Sequence, residues 1–209
     1  MENKKAENTI IKDAIALFLI TLIAGLCLGL VYEVTKDPIQ KVKDEAKAES
    51  YQSVFENASA FRDEEGKFED VEDTSTATLS SAGISAVTIN EVLEAQNESG
   101  EIVGYVMSIT STEGYGGALK IAVGIDAEGT ITGVDTLELN ETAGLGARAA
   151  EDEFKGQYKG KNVEEFTVSK AGASSDNEIN AISGATITSN AVTKAVNAGI
   201  YYAKNCINN

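Results

Sequence analysis

Residues 14–32 (AIALFLITLIAGLCLGLVY) run for nineteen positions without a charge, and no other feature limits the fold as much. A hydrocarbon layer of about 30 Å, crossed at about 1.5 Å per residue, calls for an apolar helix of this length. A cleaved signal sequence would carry a shorter apolar run, about 7–15 residues, followed by a small-residue cleavage site and a polar exit. The expectation is a retained transmembrane anchor behind a short polar tail at 1–13. Cys27 falls inside that span and Cys206 lies near the far end of the chain, so the two are not expected to pair. Alone they cannot ligate an iron–sulfur cluster.

Charge narrows the function classes further. The chain has 209 residues and a net charge of -16, which argues against nucleic acid as a partner, because that needs basic surface to displace counterions. It has no histidine, which removes the commonest residue of zinc, haem and Ser-His-Asp chemistry. The acidic runs at 63–65 and 69–70 lack calcium-loop spacing, so 62–78 reads as a solvated loop and no metal site is expected. Lys4, Lys5 and Lys12 before the span are matched by Lys36, Lys41, Lys43 and Lys47 after it. Lysine counting therefore gives no orientation.

Pro38, the one proline, suits the first turn of a new helix. Beyond it Ile39, Val42, Ala46 and Val54 recur among charges, which predicts an amphipathic membrane-exit helix within 33–60. From residue 86 to 168, short β-branched runs at 87–89, 92–93, 102–109, 119–125 and 131–139 are separated by turn signals at 98–100, 116–117 and 126–129. Tight turns favour antiparallel pairing. Helical spacing appears at 145–158 and 190–204. The fold class is α+β, a mainly antiparallel sheet with flanking helices.

Three short segments carry the candidate chemistry. In Ser183-Gly184-Ala185-Thr186, followed by Ile187-Thr188-Ser189, small residues stand between hydroxyls just before a helical pattern. Thr188 or Ser189 is expected as its N-cap, and a helix start of this kind attracts anions, so the segment reads as a phosphate site near Thr186. Plain capping would explain the same residues. Glu113-Gly114-Tyr115-Gly116-Gly117 is a glycine-rich turn before a strand, without the spacing of a dinucleotide fingerprint. Glu141-Thr142-Ala143-Gly144-Leu145-Gly146 lies between a strand and a helix. Lys170 is the only cation between residues 162 and 193. It would neutralise a phosphate or another anionic group, or be a surface lysine.

The segment Asn180-Ala181-Ile182-Ser183-Gly184-Ala185-Thr186 resembles the flavinylation sequence of the FMN-binding subunits of Rnf and Na⁺-translocating NADH:quinone oxidoreductase complexes. Glu141 to Gly146 is similar to that family's ETPGLG loop, with Ala143 for proline. Tyr115, Gly116 and Gly117 fall in a similar GYGG turn, and residues 31–39 (VYEVTKDPI) resemble the membrane exit of Rnf G subunits. Asn180 stands where the family usually has aspartate. The resemblance implies FMN bound covalently to Thr186 through a phosphoester, added by a flavin transferase. It implies a pocket formed by Ser183, Gly184, Ala185, Thr188, Ser189, Glu141, Thr142, Gly144, Leu145, Gly146 and the tyrosine–glycine turn, and no residue that is itself catalytic. It further implies a cytoplasmic N-terminus, an extracytoplasmic FMN-binding domain at 61–209 in the cell membrane, and partners among the other membrane subunits and the surrounding lipid. The C subunit of the quinone-reducing relative is the alternative within the family. Outside it stand a cofactor-free acidic binding module and a surface flavin reductase, the latter without a nicotinamide signature in this sequence.

Overall fold

The computed structural model describes residues 2–63 and 66–207, with side chains described from Lys12 onward. Glu64 and Glu65 of the acidic run fall outside the described residues, and the tail charges Glu2, Lys4, Lys5 and Glu7 are described in backbone only. The chain divides into two compact units, meeting at Ala46 and Lys47.

The first unit consists of most of one helix, α1 (Glu2–Val54). Among the described residues it is the one helix long and apolar enough to cross a membrane. Its apolar side chains are bare, with Leu17, Phe18, Ile20 and Leu28 all more than half exposed. Such a surface matches lipid, where a helix satisfies every backbone group internally. The one threonine in the span follows the same rule: Thr21 donates to the carbonyls of Leu17 at 3.0 Å and Phe18 at 2.9 Å. Pro38 does not start a new helix, contrary to expectation; it sits inside α1. Its ring removes the N–H that would bond the carbonyl of Val34, a loss of one bond in a long helix, and water or a hydroxyl can take the freed carbonyl. The helix stops at Val54, short of residue 60.

The second unit is an α+β domain. Its sheet has five antiparallel strands in sequence order, β1 (Ala60–Arg62), β2 (Val87–Gln96), β3 (Ile102–Ser111), β4 (Leu119–Asp126) and β5 (Ile131–Glu138). The two runs expected at 87–89 and 92–93 are one strand, joined across a bulge at Asn90 whose side-chain oxygen accepts from the Thr110 hydroxyl at 2.6 Å. Between β1 and β2 lies α2 (Val71–Ser81), where the sequence reads as a solvated loop; it buries Val71, Ser75 and Leu79 against the sheet, Ser75 reaching the carbonyl of Ile89. After β5 the expected helix at 145–158 resolves into a 3₁₀ turn (Gly146–Ala150) and one helical turn, α3 (Asp152–Lys155). A two-stranded parallel ribbon follows, β6 (Thr167–Ser169) with β7 (Glu178–Asn180), then α4 (Thr186–Tyr202) and a terminal π turn.

Helix α4 is the centre of the larger core. Its buried face, Ala191, Val192, Ala195, Val196 and Ala198, packs against Met107, Ile109, Ile121 and Val123 of the sheet. Alternation places a second apolar set on the opposite face, where Ala95, Val106 and Ala122 meet Tyr51, Val54 and Phe55 from the end of α1. Glycine permits that second layer to sit so close. A Cβ at Gly133 would stand 2.7 Å from Val54 Cα and one at Gly124 2.6 Å from the Val54 carbonyl oxygen, which accepts from the Thr132 hydroxyl at 2.5 Å.

The segment after β5 is tied to both layers. Tyr158, fully buried, hydrogen-bonds Thr193 of α4 at 2.7 Å and stacks edge-on with Phe154 and Phe166. Burial raises its phenol well above the ordinary value. Lys155 reaches Asp135 of β5 at 2.8 Å. Burial, the largest single influence, would alone raise the Asp135 carboxyl, but the Lys155 hydrogen bond and charge, with further hydrogen bonds to the carboxylate, together outweigh it and hold the carboxyl low. Lys155, which burial alone would lower, is raised because its hydrogen bonds and charge attraction to Asp135 and Asp152 together outweigh that burial. The depressed acid stabilises above its unfolded value of about 4 and loses that contribution as pH falls through the lower folded value. The raised lysine stabilises below about 10.4 and loses its contribution as pH rises through the folded value. A Lys155→Met variant should therefore melt below wild type by a constant margin between about pH 6 and 8, and that margin should shrink below about pH 4. Melting curves by circular dichroism test this; a margin that widens in acid contradicts it.

Candidate functional site

The first turn of α4 is built without a side-chain cap. Thr186, not Thr188 or Ser189, opens the helix, and the capping position is held by Ala185, which has no oxygen to offer. The expected N-cap at Thr188 or Ser189 is thus displaced by about one turn. Ser189 is used differently. Buried, it accepts from the Ile182 N–H at 3.0 Å and donates to the Ala185 carbonyl at 2.9 Å, pinning the turn 182–185 under the helix start. Ala185 N–H closes the same turn on the Ile182 carbonyl at 2.9 Å. The N–H groups of Thr186, Ile187 and Thr188 then have no intrahelical acceptor, and the positive end of the helix dipole coincides with them.

Two other loops converge on this end. In the turn 141–146 the Thr142 carbonyl accepts from Leu145 and Ala147, both at 3.1 Å, and Leu145 lies close enough to Gly184 that a Cβ there would stand 3.1 Å from its Cδ2. The turn 113–117 lies flush on the same loop, since a Cβ at Gly116 would fall 1.8 Å from the Asn140 carbonyl oxygen. Glu113 fixes that turn to α4 through Lys194 at 2.9 Å.

The three segments enclose a cavity of about 600 Å³, within the range of about 300–1,000 Å³ typical of cofactor sites. Of the residues expected there, Tyr115, Glu141, Thr142, Leu145, Gly146, Gly184, Ala185, Thr186 and Thr188 line it. Gly116 and Gly117 shape the turn behind Tyr115, Gly144 forms the bend before Leu145 at φ 75°, and Ser189 lies buried below. Two expectations are not met. Ser183 lines a different depression with Arg148, Gln157 and Asn180, and Lys170 is exposed beyond β6 and does not line the cavity. No lysine or arginine is among the lining residues, so the helix end supplies the positive potential there. Sequence reasoning missed Ile187, which lines the cavity while 54% exposed; an apolar residue on the outward side of a first helical turn was the available signal.

The electrostatics of the lining are unusual in one respect. Both carboxylate oxygens of Glu141 and the hydroxyl of Thr188 are buried without a hydrogen-bond partner among the described residues. Above the cavity mouth Tyr115 and Leu145, 73% and 43% exposed, add to Ile187 an apolar rim. Nearby, Asn180 is held in extended form by Gln157, and its side-chain oxygen accepts from Ala173 N–H at 2.6 Å. An aspartate would present the same acceptor, so asparagine keeps the local structure. These features fit FMN: free N–H groups and a hydroxyl for a phosphate, an apolar rim for a ring, and orphaned polar atoms between.

The segments that line the cavity fall within a recognised family. Residues 114–201, which include every residue lining the cavity, match the FMN-binding domain family, and residues 1–54 match the RnfG N-terminal region. The chain is 34% identical over 202 residues to the G subunit of the Na⁺-translocating ferredoxin:NAD⁺ oxidoreductase complex of Acetobacterium woodii, covering 95% of this chain and 93% of that protein. It is 28% identical over 200 residues to the G subunit of the proton-translocating ferredoxin:NAD⁺ oxidoreductase complex of Clostridium ljungdahlii, covering 96% and 95%. The crystal structure of the C subunit of the Na⁺-translocating NADH-quinone reductase of Parabacteroides distasonis is similar at a TM-score of 0.45 and 31% identity, over 54% of this chain and 60% of that one.

Proposed function

The chain belongs to the family of G subunits of ion-translocating oxidoreductase complexes, and from that premise we propose that its cavity holds FMN covalently, through a phosphoester on Thr186. The protein is a membrane-anchored, FMN-binding electron-transfer component of a redox complex, with the other proteins of that complex as its partners. The observation that carries the tether is the start of α4: Thr186 is its first residue, its cap is an alanine, and its free N–H groups open on the cavity.

The parts of the site then divide the work. The N–H groups of Thr186, Ile187 and Thr188 and the helix dipole hold the phosphate. The Thr186 oxygen would make the bond to phosphorus in a reaction catalysed by a flavin transferase: a flavin dinucleotide is the donor, its phosphoanhydride bond breaks, the nucleoside monophosphate leaves, and the hydroxyl proton is lost, so that the chain gains FMN less water. Tyr115, Leu145 and Ile187 supply apolar surface for the ring and exclude water from it. When bound, FMN would supply one-electron redox chemistry, while the protein tethers, orients and tunes it. A tether is useful on the extracytoplasmic side, where a dissociated cofactor would be lost to dilution. In this reading residues 1–13 are cytoplasmic, 14–32 span the cell membrane within its lipid, and the domain from about residue 61 lies outside.

Fluorescence in a denaturing gel tests the tether. Wild-type protein made beside a flavin transferase should show a fluorescent band, and Thr186→Ala should show none while melting within about 1 kcal/mol of wild type, as expected for a partly exposed helix-end position. A fluorescent Thr186→Ala band would place the bond elsewhere. A dark wild-type band would favour the cofactor-free binding module.

A further inference from the structure

The orphaned polar pair in the cavity has a chemistry of its own. Glu141 and Thr188 come from different elements, the turn after β5 and the first turn of α4, and they meet at Gly146. A Cβ placed on Gly146 would stand 2.5 Å from Glu141 Oε2 and 2.7 Å from Thr188 Oγ1, so both oxygens press on the same bare backbone. Thr188 is 1% exposed, and neither its hydroxyl nor either Glu141 oxygen has a hydrogen-bond partner among the described residues. Leaving a buried charged group unsatisfied is among the costlier features a fold can carry. Such a group in a ligand cavity is a reason to look for the partner in the ligand.

What partner would satisfy both can be read from donor and acceptor counts. An ionised carboxylate only accepts, whereas a threonine hydroxyl donates and accepts. A phosphate, which has acceptors but no donor to spare, would be repelled by Glu141. A carbonyl lacks the donor that Glu141 needs, and an amide N–H lacks the acceptor that Thr188 could use. An alcohol completes both, donating to Glu141 and accepting from Thr188. We propose that Glu141 and Thr188 form a hydroxyl-recognition pair that binds the polyol chain of the flavin ligand, the part between its phosphate and its ring. This rests on the flavin reading and assigns that site a polar middle, distinct from the helix-end phosphate contacts and the apolar rim. Gly146 is the residue that makes room for the pair.

Two ligands and two shape-conserving variants test the pair in the full-length protein in detergent, made without flavin transferase. Riboflavin carries the polyol without the phosphate; lumiflavin carries the ring with neither. Flavin fluorescence quenching gives each affinity. Glu141→Met and Thr188→Val remove hydrogen bonding while keeping the volume. The Glu141→Met variant should weaken riboflavin at least roughly tenfold, as expected when a hydrogen bond to a charged group is lost, and leave lumiflavin unchanged. Thr188→Val should act in the same direction by a smaller factor. The ligand-free Glu141→Met protein should also melt higher than wild type, because an unsatisfied buried charge has been removed. A residue with a purely structural role would lower melting and weaken both flavins alike. Equal weakening of both ligands overturns the proposal, and so does unchanged riboflavin affinity, which would mean that trapped water satisfies the pair. If wild-type protein binds lumiflavin but not riboflavin, the pair fails while the flavin reading survives; if it binds neither, the flavin reading fails as well.

Discussion

Gly146→Val is expected to leave a domain that is less stable by about 1–3 kcal/mol and that carries less than roughly a tenth of the wild-type flavin. The reason is local and severe. A Cβ at this position meets Glu141 Oε2, Glu141 Cβ at 2.9 Å and Thr188 Oγ1 at once, and Thr188 cannot retreat because it is seated in the first turn of α4. Either the turn 141–146 is pushed off the helix start or Glu141 is driven into the cavity, and both outcomes spoil the ligand site. Gly144→Ala is the matched control. Its Cβ would meet nothing within 4 Å, but its φ of 75° would cost on the order of 1 kcal/mol in strain. That variant should lose a little stability and keep its flavin. Absorbance near the flavin maximum, divided by protein concentration, separates the two; equal flavin content in both variants would show that the Glu141–Gly146–Thr188 contact does not shape the site.

The second large effect concerns an element far from the cavity. Leu79→Ala should cost about 2–5 kcal/mol, the usual range for emptying a buried leucine site. Leu79 is wholly buried in the core that α2 shares with the sheet, and its carbonyl accepts from Ile84 at 2.9 Å as the chain turns toward β2. In a domain of this size the loss corresponds to a fall in Tm on the order of 10 °C. Had 62–78 been a solvated loop continuing to residue 79, the substitution would stay within about 0.5 kcal/mol. Thermal denaturation decides between them.

These two positions illustrate what was legible beforehand and what was not. The strands could be read because β-branched runs, alternation and tight turns agree with one another from Val87 to Glu138. The membrane span, the α+β class and the convergence of two glycine-bearing loops on the start of α4 followed from length, pattern and resemblance. Helix α2 was hidden because VEDTSTATLSS offers only Val71, Ser75 and Leu79 to the core, the rest being acidic or hydroxylated residues of middling helix propensity. Its helical form comes from packing on the sheet, which a local window does not contain. Pro38 misled for the opposite reason: a strong local signal was overridden by the continuity of a long helix that loses only one hydrogen bond to it. The start of α4 was misplaced because Thr188 and Ser189 carry capping oxygens, yet the structure uses Ser189 to pin the preceding turn and leaves Thr188 unsatisfied. The capping rule was sound in its physics; here the site spends those hydroxyls elsewhere. Lys170 was attractive as a lone cation, but the sequence alone does not say that it ends up beyond β6, away from the cavity lining.

The proposed tether on Thr186 is a covalent bond, and its mass is directly measurable. Intact-mass measurement of the protein purified from its native membrane, followed by peptide mapping, tests it most directly. The expected result is a gain of one FMN less water, confined to the peptide that contains Thr186. An unmodified peptide, from cells with an active flavin transferase, would contradict it.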